Sequence, residues 1–294
     1  MTNLSLKVHQ PTALEEVLDL LSQYRGDAKV LAGGTDILPK MRAGALKVGH
    51  LVSVNRVAGL NRLEFREDEG LVIGGGVRIT DVGEFPDVQK RYPGLAHACS
   101  VMATTQIRNM GTVAGNLANA APSADTAPPL LVYKASLVIV RKGGRREVDI
   151  DKFFTGPGEV SMDPAEVIEA IRVPMPQPRS GSSYMRLSAR SKVDIAAVGV
   201  AGFLSLDTSG RIESARLAQG AVAPVPQRCS EAEEMLAGEE PTEDLFGRAA
   251  AAGSAGCCPI DDVRASAAYR TAMVKVLTRR VLGECIKRAK GGIQ

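Results

Sequence analysis

The stretch Ala103–Leu130, ATTQIRNMGTVAGNLANAAPSADTAPPL, decides how the rest of the chain is read. It is poor in charge and in large side chains. Gly111 and Gly115, Pro122, Pro128 and Pro129, and recurrent alanines punctuate it. Short hydrogen-bonding side chains run through it: Thr104, Thr105, Gln106, Asn109, Thr112, Asn116, Asn119, Ser123, Asp125 and Thr126. Neither a helix nor a strand requires that mixture. Small side chains let backbone come close to a flat or anionic group. Backbone N–H groups at a glycine turn can hold phosphate. The stretch reads as one wall of a ligand site, and the ligand as a dinucleotide.

A second glycine turn lies upstream. Lys29–Ala32 reads as a short strand, Gly33-Gly34-Thr35-Asp36 as the turn, and Ile37–Ala43 as helical. Strand, glycine turn and helix in that order gather N–H groups into an anion site. The turn is neither G-x-G-x-x-G nor Gly-Lys-Ser/Thr, so a Rossmann fingerprint and a P-loop are both excluded.

The chain's 294 residues suggest roughly two domains. Hydrophobic residues at 45% and charged residues at 23% are ordinary for a soluble globular protein. A net charge of +3 gives no support to nucleic-acid binding. No apolar run approaches the roughly 20 residues of a membrane span. The N-terminus, MTNLSLKVHQPT, lacks the regions of a signal peptide, and the expected compartment is the cytoplasm. Cys99, Cys229, Cys257, Cys258 and Cys285 show no Cys-x-x-Cys spacing, and His9, His50 and His97 are scattered. No metal or iron–sulfur site is expected on this chain. No Ser-His-Asp or Cys-His arrangement is visible, so no catalytic residue is assigned.

In chain order, Thr12 and Glu15 form a capping-box pattern ahead of an amphipathic helix over Pro11–Tyr24. His50–Val54 and Gly70–Val77 read as strands, with a polar turn at Arg66–Gly70. Thr80 is placed as the cap of a short helix to Phe85, and Tyr92–Val101 as another. Ser136–Val140 and Arg146–Ile150 form a hairpin, Phe153–Met162 a loop, and Ile171–Val173 a strand. Gln177–Ser183, rich in Pro, Gly and Ser, is the domain boundary. Tyr184–Ser188, Ile195–Leu206 and Ile212–Ala221 follow as strands. Ser230–Leu236, Glu243–Ala252 and about Ser266–Ala289 are helices.

Taken together, these motifs resemble the FAD-binding (medium) subunit of the molybdenum hydroxylases, the family of xanthine dehydrogenase and aerobic carbon monoxide dehydrogenase. Leu31-Ala32-Gly33-Gly34-Thr35-Asp36 resembles its first flavin motif. Gln106-Ile107-Arg108-Asn109, Thr112-Val113-Ala114-Gly115-Asn116 and Ala121-Pro122-Ser123-Ala124-Asp125 resemble its second. Later matches are Phe153-Phe154-Thr155-Gly156, Glu166-Val167-Ile168, Asp194-Ile195-Ala196, Gly220-Ala221-Val222-Ala223-Pro224 and Asp262-Val263-Arg264. They cover nearly the whole chain, in order.

The resemblance implies an α+β fold: a vanillyl-alcohol-oxidase-like FAD-binding domain of two α+β subdomains, then a small α+β C-terminal domain. The boundaries expected are 1–178 (subdomains about 1–55 and 56–178) and 179–294. It implies that Ala32–Asp36 cradle the FAD pyrophosphate. Thr112, Gly115, Asn116 and Asp125 would hold the diphosphate and ribityl parts, with Asp125 accepting from hydroxyls. Ile168 would contact the adenine or ring region. Arg186 stands where many members have a lysine near the flavin ring. Leu31, Ile37, Thr105, Gly111, Val113, Ala114 and Asn119 complete the candidate set. Ala114 replaces a frequent glycine, which a residue at φ < 0 tolerates.

The resemblance further implies an electron-transfer role. A large subunit would carry molybdopterin and a small one two [2Fe–2S] clusters, in a heterotrimer or a dimer of heterotrimers. Electrons would leave through FAD to NAD+, oxygen or a quinone. The alternatives are a stand-alone FAD-dependent oxidoreductase and a non-catalytic scaffold subunit that has lost FAD. Scarce His and Tyr and a short C-terminal domain argue against the first. The intact Gly33–Asp36 turn and Asp125 argue against the second.

Overall fold

A computed structural model describes residues 6–190 and 193–291; residues 1–5, part of the N-terminal stretch read above, lie outside it. Among the described residues the chain lays down three main sheets in succession, each with its own helices. The first comprises β1 (Lys7–His9), α1 (Leu14–Gln23), β2 (Ala28–Leu31), α2 (Ile37–Arg42) and β3 (His50–Ser53). β3 is central, with β1 and β2 parallel to it on either side. Parallel neighbours require crossovers, and α1 and α2 supply them. Val17 and Leu21 of α1 are fully buried and pack with Val52 and Val54 into a small core. The helix starts later than its sequence pattern predicts: Ala13 is the N-cap, so Glu16, not Glu15, reaches back to the Thr12 amide (3.0 Å).

The second sheet is antiparallel. Its strands are β4 (Leu63–Arg66), β5 (Gly70–Gly74), β6 (Ser136–Arg141), β7 (Gly144–Asp149) and, later in the chain, β10 (Val167–Val173); their order is β4-β5-β10-β6-β7. Between β5 and β6 lie α3 (Ile79–Glu84), α4 (Pro86–Arg91), α5 (Pro93–Val101), α6 (Thr105–Arg108), α7 (Val113–Asn119) and α8 (Ala127–Val132). A small hairpin, β8 (Phe154–Gly156) and β9 (Glu159–Val160), precedes β10 within the expected loop.

About half of Ala103–Leu130 is helical, in three short helices that the sequence reading did not place. Its short polar side chains start those helices: Thr104 accepts from the Ile107 amide and Thr112 from the Gly115 amide. Pro128 sits in the first turn of α8, where a missing N–H costs nothing. All six residues of α8 are buried. Thr80, predicted to cap α3, lies inside it; Arg78 is the N-cap, and the Thr80 hydroxyl donates to Asn109 Oδ1 (2.6 Å).

The third sheet is an antiparallel meander of β11 (Ser180–Ser188), β12 (Ala196–Leu206), β13 (Ile212–Gly220) and β14 (Gln227–Arg228). Then come α9 (Ser230–Leu236), α10 (Glu243–Ala255) and α11 (Ala267–Gly291). β12 is buried along its whole length because both faces are covered. Val198, Val200 and Leu204 face Leu245, Val274 and Val281 of α10 and α11. Ala201 and Phe203, with Tyr184 of β11, face Leu95 and Leu130 of α5 and α8. β11 begins at Ser180, inside the stretch read as a connector. Its small residues serve close packing: a Cβ on Gly181 would strike the Cys285 carbonyl of α11, and Ser182 Oγ accepts from the Gly94 amide of α5 (3.1 Å). Among the described residues no helix is long and apolar enough to cross a membrane.

Candidate functional site

A cavity of about 850 Å³ opens where the three units meet. That volume lies in the upper part of the range for small-molecule sites, roughly 300–1,000 Å³. One wall is the turn after β2. Another is the α6–α7 region with β10. The third is β11 and the Val193–Ile195 segment that follows it.

The first two walls touch through backbone. A Cβ on Gly33 would fall on the Met110 carbonyl oxygen and within 2.7 Å of Gly111 Cα. Gly34 takes φ +73°, a conformation other residues rarely adopt, and Leu38 donates its amide to the Gly34 carbonyl (3.2 Å). The two glycine turns, 78 residues apart by their first glycines at 33 and 111, thus form one continuous backbone surface. Ala114 lies within α7, at negative φ, so the alanine in place of the family's glycine is accommodated.

Side chains then tie the walls. Asn119 of α7 donates to Asp36 Oδ1 (3.0 Å) and accepts from Lys40 Nζ of α2 (2.6 Å). Burial pushes the Asp36 carboxyl up from its ordinary value, with Lys40 pulling against it. Asn116 accepts from Thr126 (2.6 Å) and braces the loop into α8. On the far wall Asp125 is buried. Its Oδ1 accepts from the Tyr184 hydroxyl (2.6 Å) and its Oδ2 from Arg186 Nη1 (2.9 Å). Asp125 and Arg186 are each 7% exposed. Burial raises the Asp125 carboxyl from its usual value, while Arg186 and then Tyr184 oppose that rise. Burial, followed by the Asp125 charge, pushes the Tyr184 phenol well above its usual range.

Of the sequence-predicted residues, Ala32, Gly33, Gly34, Thr35, Asp36, Ile37, Gly111, Thr112, Ala114, Gly115, Asn116, Asn119, Asp125, Ile168 and Arg186 line this cavity together. Three do not. Leu31 belongs to β2, where its side chain contributes behind the Gly34 turn. Val113 is fully buried in the apolar core, as a β-branched residue facing inward must be. Thr105 is exposed and accepts from Arg108 (3.1 Å). Asp125 differs from expectation in another way: each of its oxygens already carries a protein donor.

Sequence reading missed Lys40, Gly75, Gly158 and the Met162–Pro164 segment, all on the wall. Gly75 marks a close approach, since a Cβ there would strike the Ile168 carbonyl. Gly158 is held by its amide to the Ala120 carbonyl (2.9 Å). The glycine-bearing run Phe153–Met162 was the available signal, but its contact with α7 is not local. Beside it, Glu166 receives Arg146 through two bonds (2.8 and 2.7 Å), and Arg25 pairs with Asp163 across from the first unit. None of the three histidines lines the cavity. Among the described residues no group of three or more His, Cys, Asp or Glu is placed to hold a metal ion.

Comparison with known proteins gives this cavity its context. Residues 4–176 match the model of the FAD-binding domain in molybdopterin dehydrogenase, and residues 183–285 that of the CO dehydrogenase flavoprotein C-terminal domain. The chain is 34% identical to the putative xanthine dehydrogenase FAD-binding subunit of Escherichia coli K12, over 97% of this chain and 98% of that one. It is also 34% identical to the carbon monoxide dehydrogenase medium chain of Hydrogenophaga pseudoflava, over 93% and 94%. A solved structure of carbon monoxide dehydrogenase from that organism superposes with a TM-score of 0.91, covering 95% of this chain and 96% of that one at 34% identity. The α+β architecture of an FAD-binding domain followed by a C-terminal domain is therefore shared, and the chain belongs to the FAD-binding medium subunits of the molybdenum hydroxylase family.

Proposed function

We propose that the chain is the electron-transfer flavoprotein of a molybdenum-containing dehydrogenase or hydroxylase complex, and that the cavity between the two glycine turns is its FAD site. The observation that carries the reading is the backbone-on-backbone contact of Gly33 with Met110–Gly111. It leaves closely spaced peptide groups and no side-chain bulk at the middle of a long cavity, which is what a pyrophosphate requires.

In this reading the Gly33–Asp36 turn and the Thr112–Asn116 segment hold the pyrophosphate. Hydrogen bonds to a charged group contribute roughly 1.5–3 kcal/mol each. Asn119, bonded to both Asp36 and Lys40, holds the two walls at fixed spacing. Ile168 offers an apolar surface, 5% exposed, toward one end. Arg186, paired with Asp125, stands at the other. Leu31, Thr105 and Val113 support these segments from behind. Bound there, FAD supplies the redox couple linking [2Fe–2S] clusters of a small subunit to an acceptor such as NAD+, oxygen or a quinone. Molybdopterin belongs to a large subunit. This chain contributes binding, orientation and electrostatics, and no general acid or base. The assembly would be a heterotrimer or a dimer of heterotrimers. We place the FAD-binding part at 1–178, subdivided near 55, and the C-terminal domain at 179–294. The free cysteines suit the reducing cytoplasm.

The test is the visible spectrum of the protein with its co-expressed partners, followed by identification of the cofactor released on denaturation. About one FAD per chain supports the reading. FMN would displace the pyrophosphate site, and colourless protein that takes up no FAD would leave a scaffold.

A further inference from the structure

We propose that Tyr184 is a positioning residue for the flavin's electrostatic surroundings: by holding one oxygen of Asp125 it keeps the carboxylate seated against Arg186, and so sets how much of the Arg186 charge reaches the cavity. The inference rests on the FAD reading above. Tyr184 and Arg186 are two residues apart on β11 and share one face. Asp125 comes from the other side of the seam, between α7 and α8. Each donor takes one oxygen of the same carboxylate, at 2.6 and 2.9 Å. The guanidinium is also held by the Asp194 carbonyl and, at 3.4 Å, by the Val101 carbonyl. Asp125 and Arg186 line the cavity, whereas Tyr184, 2% exposed, does not. Tyr184 therefore acts on the cavity through Asp125.

A buried carboxylate beside a buried guanidinium presents a nearly neutral pair. Removing the phenol donor leaves one carboxylate oxygen buried without a partner, which favours the protonated acid. Once Asp125 is neutral, the Arg186 charge is unbalanced. A positive charge at the cavity favours the reduced flavin over the oxidised one.

The other titrating groups on the surrounding elements do not mimic this. Cys99 of α5 is buried, its thiol pushed up to about 12 by burial and by the Asp125 charge. Asp194 is bonded to Arg190, which holds it at about 2. Arg108, after Thr105, donates to the Met102 and Ala103 carbonyls. His97, also on α5, is lowered by burial and by Arg288.

The experiment is the FAD content and midpoint potential of the holo-protein between pH 5 and 8, for the wild type and Tyr184→Phe. Asp125→Asn, which removes the counter-charge, marks the upper limit: about a tenfold gain in preference for reduced flavin, or about 30 mV for a two-electron couple. Tyr184→Phe should follow the wild type at high pH and rise toward that limit as pH falls, with an inflection absent from the wild type. Uniform 3-fluorotyrosine labelling, which strengthens the phenol as a donor without changing its shape, should lower the pH, below 5, at which the potential of the otherwise wild-type protein begins to rise. It also serves if Tyr184→Phe does not fold, because among the five tyrosines it is Tyr184 that contacts Asp125. A Tyr184→Phe protein whose potential tracks the wild type, or that folds but loses FAD, overturns the proposal. So does a fluorotyrosine protein whose potential begins to rise at the same pH as that of the unlabelled protein. A wild type that holds no FAD overturns the underlying reading instead.

Discussion

At the Gly33–Gly111 contact the cavity wall is peptide against peptide. At the Asp125–Arg186 contact it is a buried charge against a buried charge. The first needs the absence of side chains and tolerates nothing added. The second needs two particular side chains and tolerates nothing removed. The two therefore fail differently, and substitution separates them.

The largest effect is expected at the charged wall. Asp125→Ala strands the Arg186 guanidinium, 7% exposed, and leaves the Tyr184 hydroxyl without its acceptor. Removing one partner of a buried pair costs about 3–5 kcal/mol. Urea unfolding of the FAD-free protein should show that loss before any cofactor is added. Adding Arg186→Met should recover part of it, because the stranded charge is then gone. If the double variant is no more stable than the single one, the wall is not held by this pair.

Next comes the peptide wall. Gly33→Ala forces the turn away from Met110, an overpacking that costs about 1–3 kcal/mol. Its main consequence should be on FAD: less than a tenth of wild-type occupancy, measured as cofactor released per chain. Asp36→Ala and Gly34→Val should lower occupancy too, while the unfolding of the C-terminal unit is unchanged. Equal stability and full occupancy in Gly33→Ala would mean that the two turns do not need to touch.

This contrast also explains what was legible in the sequence. A turn that needs glycine advertises itself locally, so Gly33–Asp36 and Gly111–Asn116 were readable before any fold was known. The architecture was readable through the resemblance, which runs the length of the chain. The charged wall was only half readable. Asp125 and Arg186 were both candidates, but their pairing depends on β11 meeting the α7–α8 loop, 61 residues away. Tyr184 carried no signal as a tyrosine at a strand start. In the Ala103–Leu130 stretch the short helices were hidden for a physical reason: Thr112 and Asn116, which line the cavity, also cap or brace those helices. Gln177–Ser183, read as the domain boundary, also holds the start of β11, because small residues that let α5 and α11 approach have the composition of a linker.

A third place on the wall sharpens the comparison through pH. Glu166 is 5% exposed and takes two bonds from Arg146 and one from the Asp163 amide (2.8 Å). Those donors hold its carboxyl below the ordinary value. A carboxyl lower in the folded than in the unfolded chain stabilises above its unfolded value, near 4.3, and loses that contribution as pH falls through the folded value. The wild type should therefore lose stability from about pH 5 downward. Glu166→Gln should flatten that slope and cost about 1 kcal/mol at pH 7, a modest figure because Arg146 is 41% exposed. Identical slopes in the two proteins would remove Glu166 from the acid response. FAD occupancy at pH 7 should hold, since the carboxylate oxygens of this residue are taken up by Arg146 and the Asp163 amide.

The smallest effect tests whether backbone conformation alone, away from the cavity, influences the cofactor. Lys134 is exposed, follows the end of α8 and has φ +54°. Its amide donates to the Leu131 carbonyl (3.0 Å), closing the helix in a left-handed turn that glycine adopts more readily. Ala103 has φ +47° but lines the cavity. The same substitution at each site relieves the same kind of strain, a gain of about 0.5–1 kcal/mol after the greater freedom of the unfolded chain is subtracted. Thermal unfolding should show that gain for both. Flavin affinity, titrated by fluorescence quenching, should change in Ala103→Gly, which loses a wall methyl, and stay unchanged in Lys134→Gly. A shift in both would mean that α8 transmits strain to the site, so that the peptide wall and the charged wall respond as one unit rather than two.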